Sequence, residues 1–346
     1  MKNLKLIGFL MILASSLMFI QCTSDPIAGP QGIAGIDGTD GVDGIDGVDG
    51  VDGTASCIAC HNTSHRETVQ ATYEKSGHAA GGAVAYAGSR DSCSRCHSNE
   101  GFINYITGKP AVAIENPTAI SCTTCHSSHS TFDFENDGHD FALRSMEPTA
   151  LDLTDPDYVI DYGDASNSCI SCHQPRSKAP VDDGTGMYLQ SNKRFYPHYG
   201  PQTTMLEGIQ GALIDGGTTA YPAAKSATHR TGASCVTCHM GAPSDDGSEG
   251  LHSFNVNYDN CASCHTNGVP TELAGMADDM AALKAELLAL GLIDEDGNTI
   301  VQTETIPFKT AQALWNYKTV EKDHSHGIHN PAYARALIKN ALQVVQ

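Results

Sequence analysis

The pentapeptide C-x-x-C-H occurs six times between Cys57 and His265: CIACH at Cys57, CSRCH at Cys93, CTTCH at Cys122, CISCH at Cys169, CVTCH at Cys235 and CASCH at Cys261. Of the thirteen cysteines only Cys22 lies outside a pair, and no pair lacks its histidine. A random chain of this composition would contain about two such pentapeptides per hundred sequences, so six are not accidental. The spacing suits one chemistry: two thiols add to the two vinyl groups of a haem, and the next residue turns its imidazole under the iron. The chain is therefore expected to bind six haem c groups. The expected attachment residues are Cys57, Cys60, Cys93, Cys96, Cys122, Cys125, Cys169, Cys172, Cys235, Cys238, Cys261 and Cys264, with His61, His97, His126, His173, His239 and His265 as proximal iron ligands.

Two other chemistries use C-x-x-C pairs: four-cysteine zinc sites and thioredoxin-like redox couples. Neither accounts for a histidine after every pair. Thirteen cysteines also argue against a reducing cytosol and for an exported protein. Aromatic residues make up only 6% of the 346 residues, too few for an ordinary core of this size, so the macrocycles themselves are expected to supply much of the buried apolar surface. An apoprotein should then fail to fold. The motifs recur at irregular intervals, from twenty-six residues (Cys235 to Cys261) to sixty-six (Cys169 to Cys235), which excludes a simple repeat array.

The N-terminus sets Lys2 and Lys5 before an apolar run from Leu6 to Ile20, the length of a signal-peptide core and short for a membrane span, so residues 1–21 are expected to be a signal peptide. Cys22 follows at once and resembles the lipidated first residue of a bacterial lipoprotein, although Phe19, Ile20 and Gln21 depart from the usual residues there. From Gly29 to Gly53 every third residue is glycine, with Asp37, Asp40, Asp43, Asp46, Asp49 and Asp52 each before the next one. Only Pro30 lies inside this collagen-like tract, so a self-repelling, extended tether over residues 22–55 is expected rather than a triple helix. The haem domain is then residues 56–346.

The net charge is −20, and loss of residues 1–21 leaves −22. Nucleic acid is an unsuitable partner for such a chain, whereas redox proteins with a basic docking patch suit it. Besides redox partners, a membrane contact through the lipid anchor is expected, and an oligomer is left open.

Sixteen histidines minus six proximal ones leave ten, enough to close every iron with a second imidazole, which implies low potentials. The region from about residue 57 to 346 resembles the multihaem cytochromes related to ammonia-forming nitrite reductases and hydroxylamine oxidoreductases. In those proteins distal histidines sit in stretches similar to YEKSGHA around His78, CHSSH ending at His129, YPHYGPQ around His198 and GIHNPAYARALIKNAL around His329. His229 and His252, flanking CVTCHM, resemble two more. The resemblance thus implies His78, His129, His198, His229, His252 and His329 as the distal set. His139 competes with His129, and His324 and His326 lie close enough to replace His329. His65 reads as a surface histidine.

The fold expected is mainly α and loop-rich, with haems in the core and a helical C-terminal region. Met276, Met280, Leu283, Leu287 and Leu290 recur at helical steps before Gly291; a second helix is expected over 311–320 and a third from Pro331, capped by Asn330. In the related enzymes such helices often form the subunit contact. Electron transfer at the periplasm, outer membrane or cell surface is the expected function. One alternative is an oxidoreductase of the nitrite or hydroxylamine type with one open haem, for which Lys193, Arg194 and Arg230 are candidate cations around a substrate funnel. None of the motifs carries the lysine that replaces histidine in most ammonia-forming nitrite reductases. The other alternative is a cytochrome filament joined by a spare histidine.

Overall fold

The computed structural model describes residues 55–346. The signal peptide, Cys22 and almost all of the Gly-X-Asp spacer lie outside the described residues.

The chain from Ala55 to His265 is built from short helices joined by extended connections. Four of the helices carry cysteine motifs whole or in part: Ala55–His61, Asp91–His97, Cys122–Cys125 and Cys235–His239. Asn167–Ile170 opens the fourth motif, and a 3₁₀ turn over Tyr258–Ser263 carries the sixth. Their shortness has local causes. Ser98 follows the second motif in extended backbone and takes the amide of Gly101 at 3.1 Å, which closes one helix and starts the next at Asn99–Ile106. Asn99 reaches the hydroxyl of Thr124 at 2.7 Å, and that hydroxyl also accepts the amide of Ser121 at 2.8 Å, tying the third motif to the second.

The C-terminal part contains three longer helices, Met276–Ala289, Phe308–Asp323 and Pro331–Val345. The middle one extends beyond the expected 311–320 at both ends. Every residue from Ala311 to Val320 is buried, polar ones included. The polar groups find partners: Asn316 exchanges two 2.8 Å hydrogen bonds with the backbone of Ala212, Gln312 donates to the Leu213 carbonyl at 2.7 Å, and Lys318 donates to that of Gly297 at 2.9 Å. The last helix starts as its sequence suggests, with Asn330 accepting the Tyr333 amide at 3.1 Å and Pro331 at the first turn. Tyr333, Leu337 and Ala341 face inward and are buried.

The main apolar core joins these helices to Phe195, Met205, Ala212 and Ile214. A small separate cluster holds Leu151, Ile160 and Ile170. Two short antiparallel pairs, Thr149–Leu151 with Asp155–Ile160 and Met187–Tyr188 with Ile306–Pro307, complete the fold. Among the described residues no helix is long and apolar enough to cross a membrane.

Candidate functional site: six histidine pairs

Each motif histidine faces one other histidine, and the six distances are nearly the same. The ring centres are 6.1 Å apart for His61 and His129, 6.3 Å for His173 and His78, and 6.2 Å for His97 and His198. They are 6.2 Å apart for His126 and His252, 6.1 Å for His265 and His229, and 6.4 Å for His239 and His329. Rings in van der Waals contact would stack closer than this. An imidazole nitrogen binds a metal at about 2.0 Å and lies about 1.1 Å from its ring centre, so two imidazoles on opposite sides of one metal ion would have centres about 6.2 Å apart. The spacing would accommodate one metal ion between each pair. Among the described residues no three His, Cys, Asp or Glu side chains converge on a single metal ion. The ten cysteines of the second to sixth motifs are thiols, as attachment requires.

Local backbone sets the distal histidines. His78 sits in a single helical turn, Gly77–Ala80, whose cap Ser76 accepts the Ala79 amide at 3.0 Å. His198 has φ 75°, and two residues on, a side chain at Gly200 would come within 2.5 Å of the Gln174 carbonyl. His229 rides on the short helix Thr228–Gly232. Next to it Arg230 makes a 2.8 Å ion pair with the fully buried Glu207 and donates to the Asp161 carbonyl at 2.7 Å. This candidate funnel cation therefore serves to anchor the helix. Arg194 likewise donates to the hydroxyl of Tyr86, at 3.1 Å. His252 lies in a 3₁₀ turn, Leu251–Ser253, entered through Gly250 at φ 72° and left through Phe254 at φ 57°. His329 follows a tight turn and immediately precedes the Asn330 cap.

The second nitrogen of the ring is occupied in six of these twelve histidines. His126 Nδ1 lies 2.8 Å from the Phe141 carbonyl, His239 Nδ1 2.8 Å from that of Phe254, and His229 Nδ1 2.6 Å from that of Ile328. His173 Nδ1 is 3.4 Å from the side-chain oxygen of Gln202. His129 and His329 face carboxylates instead, Asp140 at 2.6 Å and Asp323 at 2.7 Å. An acceptor at Nδ1 puts the proton there and leaves Nε2 with its lone pair for a metal. Burial adds to this: it lowers the pKa of His78, His198 and His252 to about 4, with neighbouring histidines, and for His198 also Arg176 and Arg194, as the smaller cause, so these rings are neutral at pH 7. Burial also works against the charged form of His329, but the Asp323 carboxylate outweighs it and raises the pKa.

Neighbouring motifs touch. Arg95, inside CSRCH, donates to the carbonyl of Ser171, inside CISCH, at 2.7 Å. The Val236 amide, inside CVTCH, donates to Ser166 at 3.0 Å, just before CISCH. Phe254 serves three pairs: its ring lies 4.7 Å from that of His78 and 5.7 Å from that of His252, and its carbonyl takes the His239 proton.

The other four histidines lie outside the pairs. His65, His139, His324 and His326 are exposed. His139 stacks on Phe134 at 4.8 Å. Of the histidines expected to compete, His129 and His329 face a motif histidine, whereas His139, His324 and His326 do not. Sequence reasoning did not find Phe254, Asp140, Asp323 or Gln202. The Asp-His pairs lie eleven and six residues apart, and no periodicity marks them.

In fold the chain is similar to the outer cell wall cytochrome OcwA, at a TM-score of 0.51 and 21% identity over 80% of this chain and 50% of that one. This chain spans about half the length of OcwA. The likeness is one of fold. A second solved structure, the undecahaem cytochrome from the S-layer of Carboxydothermus ferrireducens, aligns at a TM-score of 0.45 and 20% identity over 79% of this chain and 39% of that chain. No family model matches the chain, and no curated protein does.

Proposed function

We propose that the chain holds six haems c, each with two histidines on its iron, and that its function is electron transfer. The observation that carries this reading is the set of six pairs at 6.1–6.4 Å, in which no motif histidine is left without an imidazole opposite. When bound, the haem supplies one-electron chemistry, and the protein supplies the axial nitrogens, the thioether anchors and the surrounding dielectric. Closed irons exchange electrons at the haem edge and offer no position to nitrite or hydroxylamine. Contacts between motifs, such as Arg95 with Ser171, support a reading in which electrons pass from one haem to another within the chain.

The cell surface is the proposed place of action. The leader-like residues 1–21, Cys22 and the acidic spacer support it, and OcwA is by its name an outer cell wall protein. The net charge of −20 favours redox partners with a basic face.

The test is electron paramagnetic resonance of the oxidised holoprotein, with the haem number taken from its intact mass. Six low-spin ferric haems, unchanged by nitrite or hydroxylamine, are expected. A high-spin haem that responds to either ligand would mean an open site and an oxidoreductase. In His252→Ala one haem in six should become high-spin, because the ring opposite His126 is removed.

A further inference from the structure

The six pairs are not equivalent in what stands behind them. Three rings give their Nδ1 proton to a peptide carbonyl and one faces an amide oxygen, all neutral acceptors. Among the described residues only His129 and His329 hydrogen-bond a carboxylate. A carboxylate on Nδ1 draws the proton away from the ring and makes Nε2 a stronger donor to the metal. It also places a negative charge about 6–7 Å from an iron whose ferric form carries one more positive charge than its ferrous form, and the low dielectric of a buried site strengthens that attraction. Both effects favour the oxidised state.

The two carboxylates differ in how much charge they keep for the ring. The side chain of Asp323 is fully buried, one oxygen takes His329 at 2.7 Å, and the other takes the Ser325 hydroxyl. Asp140 is partly exposed, and it also accepts the Ala142 amide at 2.9 Å, the Ser130 hydroxyl at 2.8 Å and the Ser130 amide. Solvent and three further donors spread its charge. Among the described residues, the only ion pairs these carboxylates make are with their histidines.

We propose that Asp323 and Asp140 act as positioning residues that make the iron between His239 and His329 the most reducing of the six, and the iron between His61 and His129 the next. The inference rests on the haem reading given above. It makes the fifth motif a trap for the oxidised state beside the fourth, to which Gln202 links it: its side-chain oxygen faces His173, and its amide donates to the Asp323 carbonyl at 3.5 Å.

Spectroelectrochemical titration of the holoprotein against Asp323→Asn, Asp140→Asn and Ser325→Ala tests it. Asparagine keeps the shape and the acceptor while removing the charge. In Asp323→Asn the lowest of the six one-electron waves should move upward, and the low-spin signal of that haem should shift. Asp323→Glu should bring it part of the way back. Asp140→Asn should move a different wave, by less. Ser325→Ala frees the Asp323 carboxylate of its second donor and should move the lowest wave further down. Should six low-spin haems be present in Asp323→Asn and Asp140→Asn while both titrations superimpose on the parent's, the proposal is overturned. A parent protein lacking six low-spin haems would overturn the haem reading itself, and this inference with it.

Discussion

The stretch from Ala55 to His265 and the stretch from Leu273 to Val345 are held together in different ways. The second has an ordinary protein core: Leu283, Leu287, Leu292, Ile293, Leu314, Trp315, Tyr333 and Leu337 are all buried against one another. The first has little of its own: Phe195, Met205, Ala212 and Ile214 belong to the core of the C-terminal helices. Before Phe195 the buried apolar side chains among the described residues are Ala87, Phe102, Leu151, Ile160 and Ile170. What this stretch has instead is eleven of the twelve histidines that make up the six facing pairs, all but His329. A region with so little apolar burial cannot offset its chain entropy unless another apolar body fills it. The C-terminal stretch can do so from its own side chains.

The sharpest break of this comparison is to remove the cofactor. Apoprotein produced without haem attachment should be cleaved readily by protease across residues 55–265 and should melt without a cooperative transition. A compact, resistant apoprotein would show that the side chains alone suffice there, and the comparison would fall. A smaller effect is expected from Leu337→Ala, which opens a cavity in the helical core and should cost about 2–5 kcal/mol. Chemical denaturation of the holoprotein should show that loss with the haem spin states unchanged; a change of spin state would mean that the two regions are not separately supported. The smallest is Asn330→Ala, which removes the cap on the Tyr333 amide and should cost about 1 kcal/mol in the same assay. A much larger loss would show that the cap also holds the neighbouring His329.

The contrast also explains which parts of the molecule can be read from the sequence. The C-terminal helices are legible because period and punctuation coincide: Asn330 and Pro331 start one helix, and Met276 to Leu290 repeat on one face of another. The two strand pairs were not anticipated, since segments of two to six residues carry no usable alternation. In the candidate site the motif histidines are fully legible, because attachment chemistry requires a fixed spacing. The histidines opposite them are legible only through a resemblance, and which one faces which motif is not legible at all. His78 and His229 precede the motifs they face, whereas the other four follow theirs. The Nδ1 acceptors are further removed still, because three are backbone carbonyls, which every residue type offers equally.

The six pairs are threaded through one another along the chain. His61–His129, His78–His173, His97–His198 and His126–His252 overlap in sequence, and the last also overlaps both His229–His265 and His239–His329. A cut at any point between His61 and His329 therefore parts at least one imidazole from its opposite. No fragment that stops short of this span keeps all six pairs. A chain made from its N-terminus cannot complete the pair at His239 until almost the last residue has been added, so assembly must end, rather than begin, with the whole molecule present.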